Sequence, residues 1–451
     1  MLTQGILEAY CAIDRARIDD VVLRAAKLAL ADGLAVMVAA TGLEPATQRF
    51  TDYALSSGHG PSSLIGMPRK VSAVHAALAN GALAHAIDFE DTFEEGMIHP
   101  NASLIPAVLA LAESEGIDER STLFALALGC DFSCRLSLAI DGDPAQLGWY
   151  HPPILSGLGA TLGCSVLLRL DAVATNDALG LFAAQFMLTD ELKRSPNSDL
   201  RAVREGFAAR AAVEAALLAR AGVRGVEKPL EGQSGVFRIL TGKPPLRQAF
   251  EGIGSRYWGP EVGIKRWPAC RGTHSAILLA QRLKTKQIPA SEIARIGVKL
   301  SPPNDMLFTP RTQRIAPSTP IDAKFSIPFV LAVTLQDGAI SLSSFSQERL
   351  TDPAILALTS RVHLDETAAA GGHEAEYRVQ LNDGSIVAEI IADLPVWRAR
   401  DIDLYDLAGK VGECFGAGTG LVDAATFLSR MNEFGDAGPV RLSSLLWDHS
   451  L

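Results

Sequence analysis

The stretch HAIDFEDTFEEGMIHP, residues 85–100, places two histidines and five carboxylates within sixteen residues. Spacings of three and four residues lead into it, so on a helix one stripe would carry Val71, Val74, Leu78, Gly81, His85, Asp88 and Thr92. The stripe begins apolar and ends polar. Because burying polar groups costs free energy unless they are satisfied or used, the stretch is either one wall of an acid/base pocket or a solvated helix end.

Three other stretches concentrate reactive side chains. GWYHPPILSGLG carries His151 between aromatic residues and prolines. The other two stretches are basic. One contains Lys193, Arg194, Arg201, Arg204 and Arg210, and the other contains Lys265, Arg266, Cys270, Arg271 and His274. Aspartate and histidine transfer protons, while lysine and arginine hold carboxylates. Together these residue types suit proton abstraction next to a carboxylate of a small polyanionic acid.

Each stretch also has a purely structural interpretation. The basic run at 193–210 would then be a solvated helix face, and Cys270 a small buried hydrophobe. His99 and His151 each precede proline and would be loop residues. These alternatives stay open on the residues alone.

A metal-dependent hydrolase is the competing functional interpretation of the acidic stretch. Its ligands would be His85, Asp88, Asp91 and His99, but the spacing matches neither HExxH nor a calcium-binding loop. The sequence contains no GxSxG motif, no GxGxxG after a strand and no P-loop. Serine-hydrolase, dinucleotide and nucleotide-phosphate chemistry therefore have no support.

Composition favours a well-buried globular protein. The 451 residues are 48 % hydrophobic and 20 % charged, with a net charge of −10, and that length predicts two or three domains. No basic cluster is interleaved with aromatics, so no nucleic-acid partner is expected. The first residues lack a signal-peptide pattern, and prolines break the weakly charged stretch 144–168, so no membrane partner is expected either. Six scattered cysteines without CxxC predict reduced thiols and a cytoplasmic location.

The composition and periodicity of the sequence change near Lys265. Residues 1–260 are rich in alanine and leucine with helical periodicity, whereas 261–394 contains alternating stretches and an Asp383–Gly384 hairpin signal. Asp352 followed by Pro353 predicts a helix start. We therefore predict a mainly α protein with an α+β second domain over 261–394, and with helical residues 395–451 returning to the first domain.

The chain resembles the MmgE/PrpD family, which includes 2-methylcitrate dehydratase, cis-aconitate decarboxylase and iminodisuccinate epimerase. The resemblance rests on ALANGALAHAIDFEDT with HPNASLIPAVLALAE, on GWYHPPILSGLGA, on GFAARAAVEAALLA, on KRWPACRGTH and on AKFSIPFVLAVTLQDG, which occur in the family's order. It implies a large helical domain formed by both ends of the chain and a smaller inserted α+β lid. It also implies an active site in the cleft between them, a homodimer, and neither metal nor other cofactor.

The resemblance also implies roles for individual residues. The active-site segment of the family corresponds to Asp88, Thr92 and His99, its GxHP histidine to His151, and the lysine that opens its lid to Lys265. We predict these five as catalytic residues. Substrate binding is predicted for Arg201, Arg204, Cys270 and His274.

Two departures from the family pattern bear on the substrate. Arg201 and Arg204 stand where the family usually has lysine and histidine, and Cys270 stands where some decarboxylase-like members have histidine. Arginine cannot exchange a proton near neutral pH, so those two positions keep only anion binding.

We accordingly predict a metal-free acid/base enzyme that removes a proton α to a carboxylate of a small di- or tricarboxylic acid. A lyase, either a dehydratase or a decarboxylase, is favoured. The alternatives are an epimerase of the iminodisuccinate type, a metal-dependent hydrolase, and a member of the family that has lost catalysis.

Overall fold

Helices make up most of the backbone in the computed structural model, which describes residues 2–185, 188–195, 198–300, 304–367, 375–392, 394–418, 422–435 and 438–447. The fold is mainly α with a smaller α+β part, as predicted. The α-helices up to residue 241 are α1 (Leu2–Cys11), α2 (Asp20–Leu43), α3 (Pro45–Ser56), α4 (Ala73–Ala84), α5 (Leu104–Glu115), α6 (Glu119–Leu138), α7 (Pro152–Leu167), α8 (Ala172–Gln185), α9 (Leu200–Val203), α10 (Glu205–Arg220) and α11 (Val236–Thr241).

The remaining helices lie beyond residue 273 and are α12 (His274–Thr285), α13 (Arg311–Ile315), α14 (Pro320–Lys324), α15 (Ile327–Asp337), α16 (Gln347–Leu350), α17 (Pro353–Thr359), α18 (Ala408–Ala417), α19 (Ala424–Glu433) and α20 (Leu442–Leu446). The strands are β1 (Ser62–Ser63), β2 (Lys70–Val71), β3 (Gly263–Ile264), β4 (Ile293–Leu300), β5 (Val362–Thr367), β6 (Ala375–Leu381), β7 (Ile386–Ile391) and β8 (Trp397–Arg398).

Contacts divide the chain into two compact units. Unit 1 comprises Met1–Ala86, Glu90–Ile264 and Trp397–Leu451, and unit 2 comprises Ile87–Phe89 and Lys265–Val396. Unit 2 thus includes three residues of the acidic stretch, whereas the sequence predicts the whole stretch in the helical domain. The short β3–β8 ladder pairs Gly263–Ile264 with Trp397–Arg398 inside unit 1, on the two sides of the long insertion Lys265–Val396.

Capping residues start the long helices of unit 1. Asp19 accepts from the backbone N–H of Val21 before α2, and Asp118 accepts from Ser121 before α6. Pro152 opens α7, where its missing N–H costs nothing because first-turn amides have no partner within the helix. These signals are local, so the sequence specifies where the helices begin.

Small residues let these helices approach closely. A Cβ atom added to Gly159 of α7 would lie 2.5 Å from the carbonyl oxygen of Gly129 in α6. The α6 helix is apolar and long enough to cross a membrane by length and composition, but 89 % of its most apolar window is buried inside the protein. It is therefore a core helix of unit 1.

Unit 2 is built on a four-stranded sheet with the order β5-β4-β6-β7. The β4–β5 pair is parallel, and the β4–β6 and β6–β7 pairs are antiparallel. Strand β6 alternates, with Ala375, Tyr377 and Val379 buried between exposed neighbours. The buried Tyr377 hydroxyl lies 2.7 Å from Ser275 Oγ, which ties α12 to the sheet.

Two local predictions for unit 2 are confirmed. Strands β6 and β7 form a hairpin whose turn contains Gly384 at φ +87°, a left-handed conformation that glycine adopts without steric cost. The side chain of Asp352 caps α17, and Pro353 is its first residue.

Candidate active site

The polar end of the predicted helical stripe departs from the sequence expectation. Helix α4 ends at Ala84 with His85 as its C-cap residue, and Asp88 adopts a left-handed φ of 50°. The stripe therefore stops at His85, and Asp88 and Thr92 do not lie on the helix. Thr92 instead pairs its backbone with Gly263, 2.8 Å in each direction. The solvated-end alternative is also wrong, because His85, Asp88 and Thr92 are all buried.

Glu90 joins two histidines in unit 1. Its Oε1 atom contacts His85 Nδ1 closely and lies 3.3 Å from His99 Nδ1. The two imidazole rings are 5.1 Å apart at their centroids. The side chains of His85 and Glu90 are 0 % and 3 % exposed, whereas that of His99 is 17 % exposed. Of this trio, His99 is the histidine that faces open space.

Asp91, next in the chain, is a buried acid. One of its carboxylate oxygens accepts from the side-chain amide of Asn101, and its backbone carbonyl lies 2.7 Å from His99 Nδ1. Burial raises the pKa of Asp91 to about 7, and the nearby carboxylates of Asp32 and Glu90 act in the same direction. The hydrogen bond from Asn101 only partly offsets this rise.

His151 lies in unit 1 at the N-terminus of α7, next to Tyr150. Burial, together with the positive charge of Lys193, lowers the pKa of His151 to about 4. The Tyr150 ring has Lys193 Nζ at 5.2 Å from its centroid and the guanidinium carbon of Arg204 at 4.8 Å. A neutral imidazole thus lies in a cationic neighbourhood.

Arg204 is completely buried and belongs to a polar network at the start of α10. Its Nε atom lies 3.5 Å from Glu205 Oε1, and the other oxygen of Glu205 accepts from Ser103 and, at 3.3 Å, from Ser156. Burial raises the pKa of Glu205, although the charge of Arg204 opposes the rise. Among the described residues, Arg204 Nη2 has no hydrogen-bond acceptor. Arg201 is also buried, at 6 % exposed, so neither arginine lies on a solvated helix face.

Unit 2 contains a buried ion pair between Lys265 and Asp88. Lys265 Nζ lies 2.6 Å from Asp88 Oδ1 and 3.1 Å from its carbonyl oxygen, and the two side chains are 0 % and 1 % exposed. A non-glycine residue in the left-handed region is strained by about 1 kcal/mol or more. Both contacts with Lys265 hold Asp88 in that conformation.

The predicted substrate-binding residues of unit 2 differ in availability. His274 has both ring nitrogens engaged, since Nδ1 accepts from Arg271 at 3.1 Å and Nε2 donates to the Ala269 carbonyl at 3.2 Å. Burial lowers the pKa of His274 well below its usual value, and the hydrogen bonds favour a structural role for a neutral ring. Cys270 is partly exposed, and its backbone N–H donates to Lys324.

The structure thus brings together several of the predicted residues. Asp88 pairs with Lys265 in unit 2, and in unit 1 Arg204 shares the neighbourhood of Tyr150 with the adjacent His151. The convergence of all five catalytic candidates in one cleft stays a prediction. Glu90, Glu205 and Tyr150 are not among the residues predicted from the sequence. The sequence signals them only by position, because each directly follows or precedes a predicted candidate.

Comparison with known sequences identifies the family of the chain. The MmgE/PrpD N-terminal domain matches residues 8–249, and the MmgE/PrpD C-terminal domain matches residues 267–415. Cis-aconitate decarboxylase of Aspergillus terreus is 26 % identical over 399 residues, which cover 82 % of this chain and 80 % of the relative. Cis-aconitate decarboxylase of Mus musculus is 24 % identical over 420 residues, covering 86 % and 82 %. These enzymes and the two domain matches establish that the chain is an enzyme of the MmgE/PrpD family.

Proposed function

We propose that this protein is a carboxy-lyase or related lyase that acts on a small di- or tricarboxylic acid by acid/base chemistry without a metal. The main support for the proposal is the set of charged and proton-transfer groups around Tyr150 in unit 1. A neutral imidazole follows it in the chain, while Arg204 and Lys193 contact its ring. A proton-transfer group that directly follows a tyrosine contacted by two cations suits an anionic substrate.

The charge that develops in such a reaction explains the need for cations. Loss of either a proton or carbon dioxide from carbon next to a carboxylate leaves an electron pair that delocalises onto that carboxylate. Fixed positive groups stabilise this charge more in the transition state than in the substrate. In a decarboxylation the C–C bond breaks, carbon dioxide leaves, and one proton is added to the remaining carbon.

Individual residues then have separate roles. Neutral His151 takes a proton or, once charged, returns it to carbon. The Nη2 donor of Arg204 has no acceptor among the described residues. It binds a substrate carboxylate, and Arg201 assists it. Lys265, whose ammonium group is held by Asp88 within unit 2, is predicted as catalytic from the sequence, and that role stays a prediction. The decarboxylase relatives support loss of carbon dioxide over epimerisation.

A metal-dependent hydrolase is the second candidate, because His85, Glu90 and His99 bring two imidazoles and a carboxylate together. Their hydrogen bonds limit which atoms such a site could use. His99 Nδ1 faces a backbone carbonyl and His85 Nδ1 faces Glu90, so these nitrogens donate protons and a metal would have to bind the Nε2 atoms. Metal analysis of the purified protein, with activity measured before and after EDTA, separates the two candidates.

The proposed function is tested by incubating the protein in D₂O with cis-aconitate, citrate-like and aspartate-derived acids under NMR. Loss of carbon dioxide identifies a decarboxylase, alkene formation a dehydratase, and deuterium uptake without elimination an epimerase. The His151→Asn variant should lose the reaction, and His59→Asn, at an exposed histidine, should keep it. The absence of all three reactions with the wild type would contradict the proposal.

A further inference from the structure

We propose that Glu90 is a positioning residue, whose carboxylate, shared by the Nδ1 atoms of His85 and His99, orients His99 so that its Nε2 atom exchanges protons with the substrate. The inference rests on the proposed function and deepens it, because it identifies a residue that supports acid/base chemistry without touching the substrate.

The hydrogen bonds of His99 determine its tautomer. Its Nδ1 atom lies 2.7 Å from the Asp91 carbonyl oxygen and 3.3 Å from Glu90 Oε1. A backbone carbonyl only accepts hydrogen bonds, so Nδ1 must carry the proton. In the neutral ring Nε2 therefore holds the lone pair, which is the state that a general base requires.

The contribution of Glu90 is distinct from that of the Asp91 carbonyl. The carbonyl can select the tautomer, but it carries no net charge. A carboxylate on the Nδ1 side also stabilises the imidazolium that forms when Nε2 takes a proton, as in carboxylate–histidine pairs of other enzymes. With Glu90 buried at 2 % exposed, solvent screens this interaction weakly.

His85 explains why the carboxylate keeps its orientation. Its Nδ1 atom contacts Glu90 Oε1, and its ring is packed 5.1 Å from that of His99 at an angle of 45°. His85 is fully buried, so its contact with the carboxylate is shielded from solvent. The three side chains form one cluster, in which only His99 is accessible.

Two other acids of unit 1, Glu205 and Asp91, lie near this cluster of three side chains. Glu205 interacts electrostatically with His85 and with Glu90, and Asp91 interacts with Glu90. Burial raises the pKa of both Glu205 and Asp91. Glu90 is the acid of this group whose carboxylate contacts both imidazoles.

The test compares Glu90→Gln and Glu90→Asp with Glu113→Gln. Glu113 is another buried carboxylate of unit 1, and it accepts hydrogen bonds from Ser63 and Leu442. We expect Glu90→Gln to lower kcat about 10- to 100-fold with KM changed less than about threefold. Glu90→Asp should recover part of the loss, whereas Glu113→Gln should lower Tm and leave kcat unchanged.

NMR of ¹⁵N-histidine-labelled protein gives a readout that a structural role would not move. His99, assigned with a His99→Gln variant, should be protonated on Nδ1 when neutral, and Glu90→Gln should lower its pKa by about one unit or more. An Nε2–H tautomer, or equal His99 pKa values in the wild type and Glu90→Gln, overturns the inference. So does a Glu90→Gln kcat equal to that of Glu113→Gln. If the wild type turns over none of the acids, the proposed function fails and the NMR result alone decides on Glu90.

Discussion

Gly81 of α4 and Gly206 of α10 pack backbone against backbone. A Cβ atom added to Gly81 would lie 2.7 Å from the Cα of Gly206 and 3.1 Å from the Cβ of Ala209. Both helices carry site residues at their adjoining ends, since His85 terminates α4 and Glu205 begins α10. The glycine contact therefore sets the distance between two parts of the proposed site.

Gly81→Ala should separate these helices. We expect a loss of about 1–3 kcal/mol in the free energy of unfolding from overpacking, together with a fall in kcat because His85 and Glu205 move apart. Urea denaturation and steady-state kinetics measure the two effects. Gly5→Ala in α1 is the matched control, since its Cβ would meet nothing within 4 Å and should stabilise the helix slightly. Full activity in Gly81→Ala would argue against a role for the glycine contact in spacing the site.

The two arginines are predicted to bind substrate carboxylates. Arg201→Ala and Arg204→Ala should each raise KM about tenfold or more with a smaller effect on kcat, because an anchor contributes similarly to ground-state and transition-state binding. Arg204→Lys should restore little, since lysine lacks the planar fork. Arg49→Ala is the control, because the Arg49 side chain is 74 % exposed and pairs only at the surface with Asp199. Unchanged KM in both buried variants would remove the anchor role.

His151 should behave as a base that is neutral over most of the pH range. Since burial lowers its pKa to about 4, kcat/KM should fall only as the pH drops through about 4 to 5, and not near 6.5. His151→Ala should lower kcat by about 10²- to 10⁴-fold. A pH–rate profile of the wild type and single-pH kinetics of the variant test both points. An acidic limb at pH 6.5 would assign the base to another group.

The depressed pKa of His151 also predicts a pH dependence of stability. The unfolded chain binds a proton at this histidine below about 6.5 while the folded protein does not until about 4. The contribution of neutral His151 to the free energy of unfolding is therefore complete above pH 6.5 and is lost as the pH falls from 6.5 to 4. The Tm of His151→Asn should decline less than that of the wild type across this window. Parallel Tm curves would contradict the assignment.

Removing one partner of the Lys265–Asp88 pair should lower the stability of the protein more than removing both. Lys265→Ala leaves a buried carboxylate without its cation and should lower the free energy of unfolding by about 3–5 kcal/mol. The double variant Lys265→Met with Asp88→Asn removes both charges, so it should regain most of the stability but not the activity. Equal destabilisation of the single and double variants would show that the charge pairing does not determine the loss.

Local signals predicted much of the fold. The Asp352–Pro353 helix start and the Asp383–Gly384 hairpin each depend on neighbouring residues, and both occur as expected. The end of α4 could not be predicted in this way. Alanine and isoleucine at 86–87 would allow the helix to continue, and what holds Asp88 in a left-handed conformation is Lys265, 177 residues later.

The site shows the same division between local and distant causes. The types and positions of His99, His151 and Lys265 already indicated proton transfer and anion binding. The burial of Arg204 did not follow from its sequence, because a basic run is normally solvated. Arg204 lies over the ring of Tyr150, which the chain supplies from another element.

The discontinuity of unit 1 has a consequence for synthesis on the ribosome. Helix α2 packs against α18, and the buried Asp32 carboxylate lies 2.5 Å from Lys410 Nζ. A ribosome that adds roughly 5–20 residues per second needs on the order of twenty to seventy seconds between these positions. During that interval the nascent chain exposes an apolar surface and an acid whose counter-ion has not yet been made. Unit 2, being continuous apart from three residues, can be complete before the helical unit closes around Asp32.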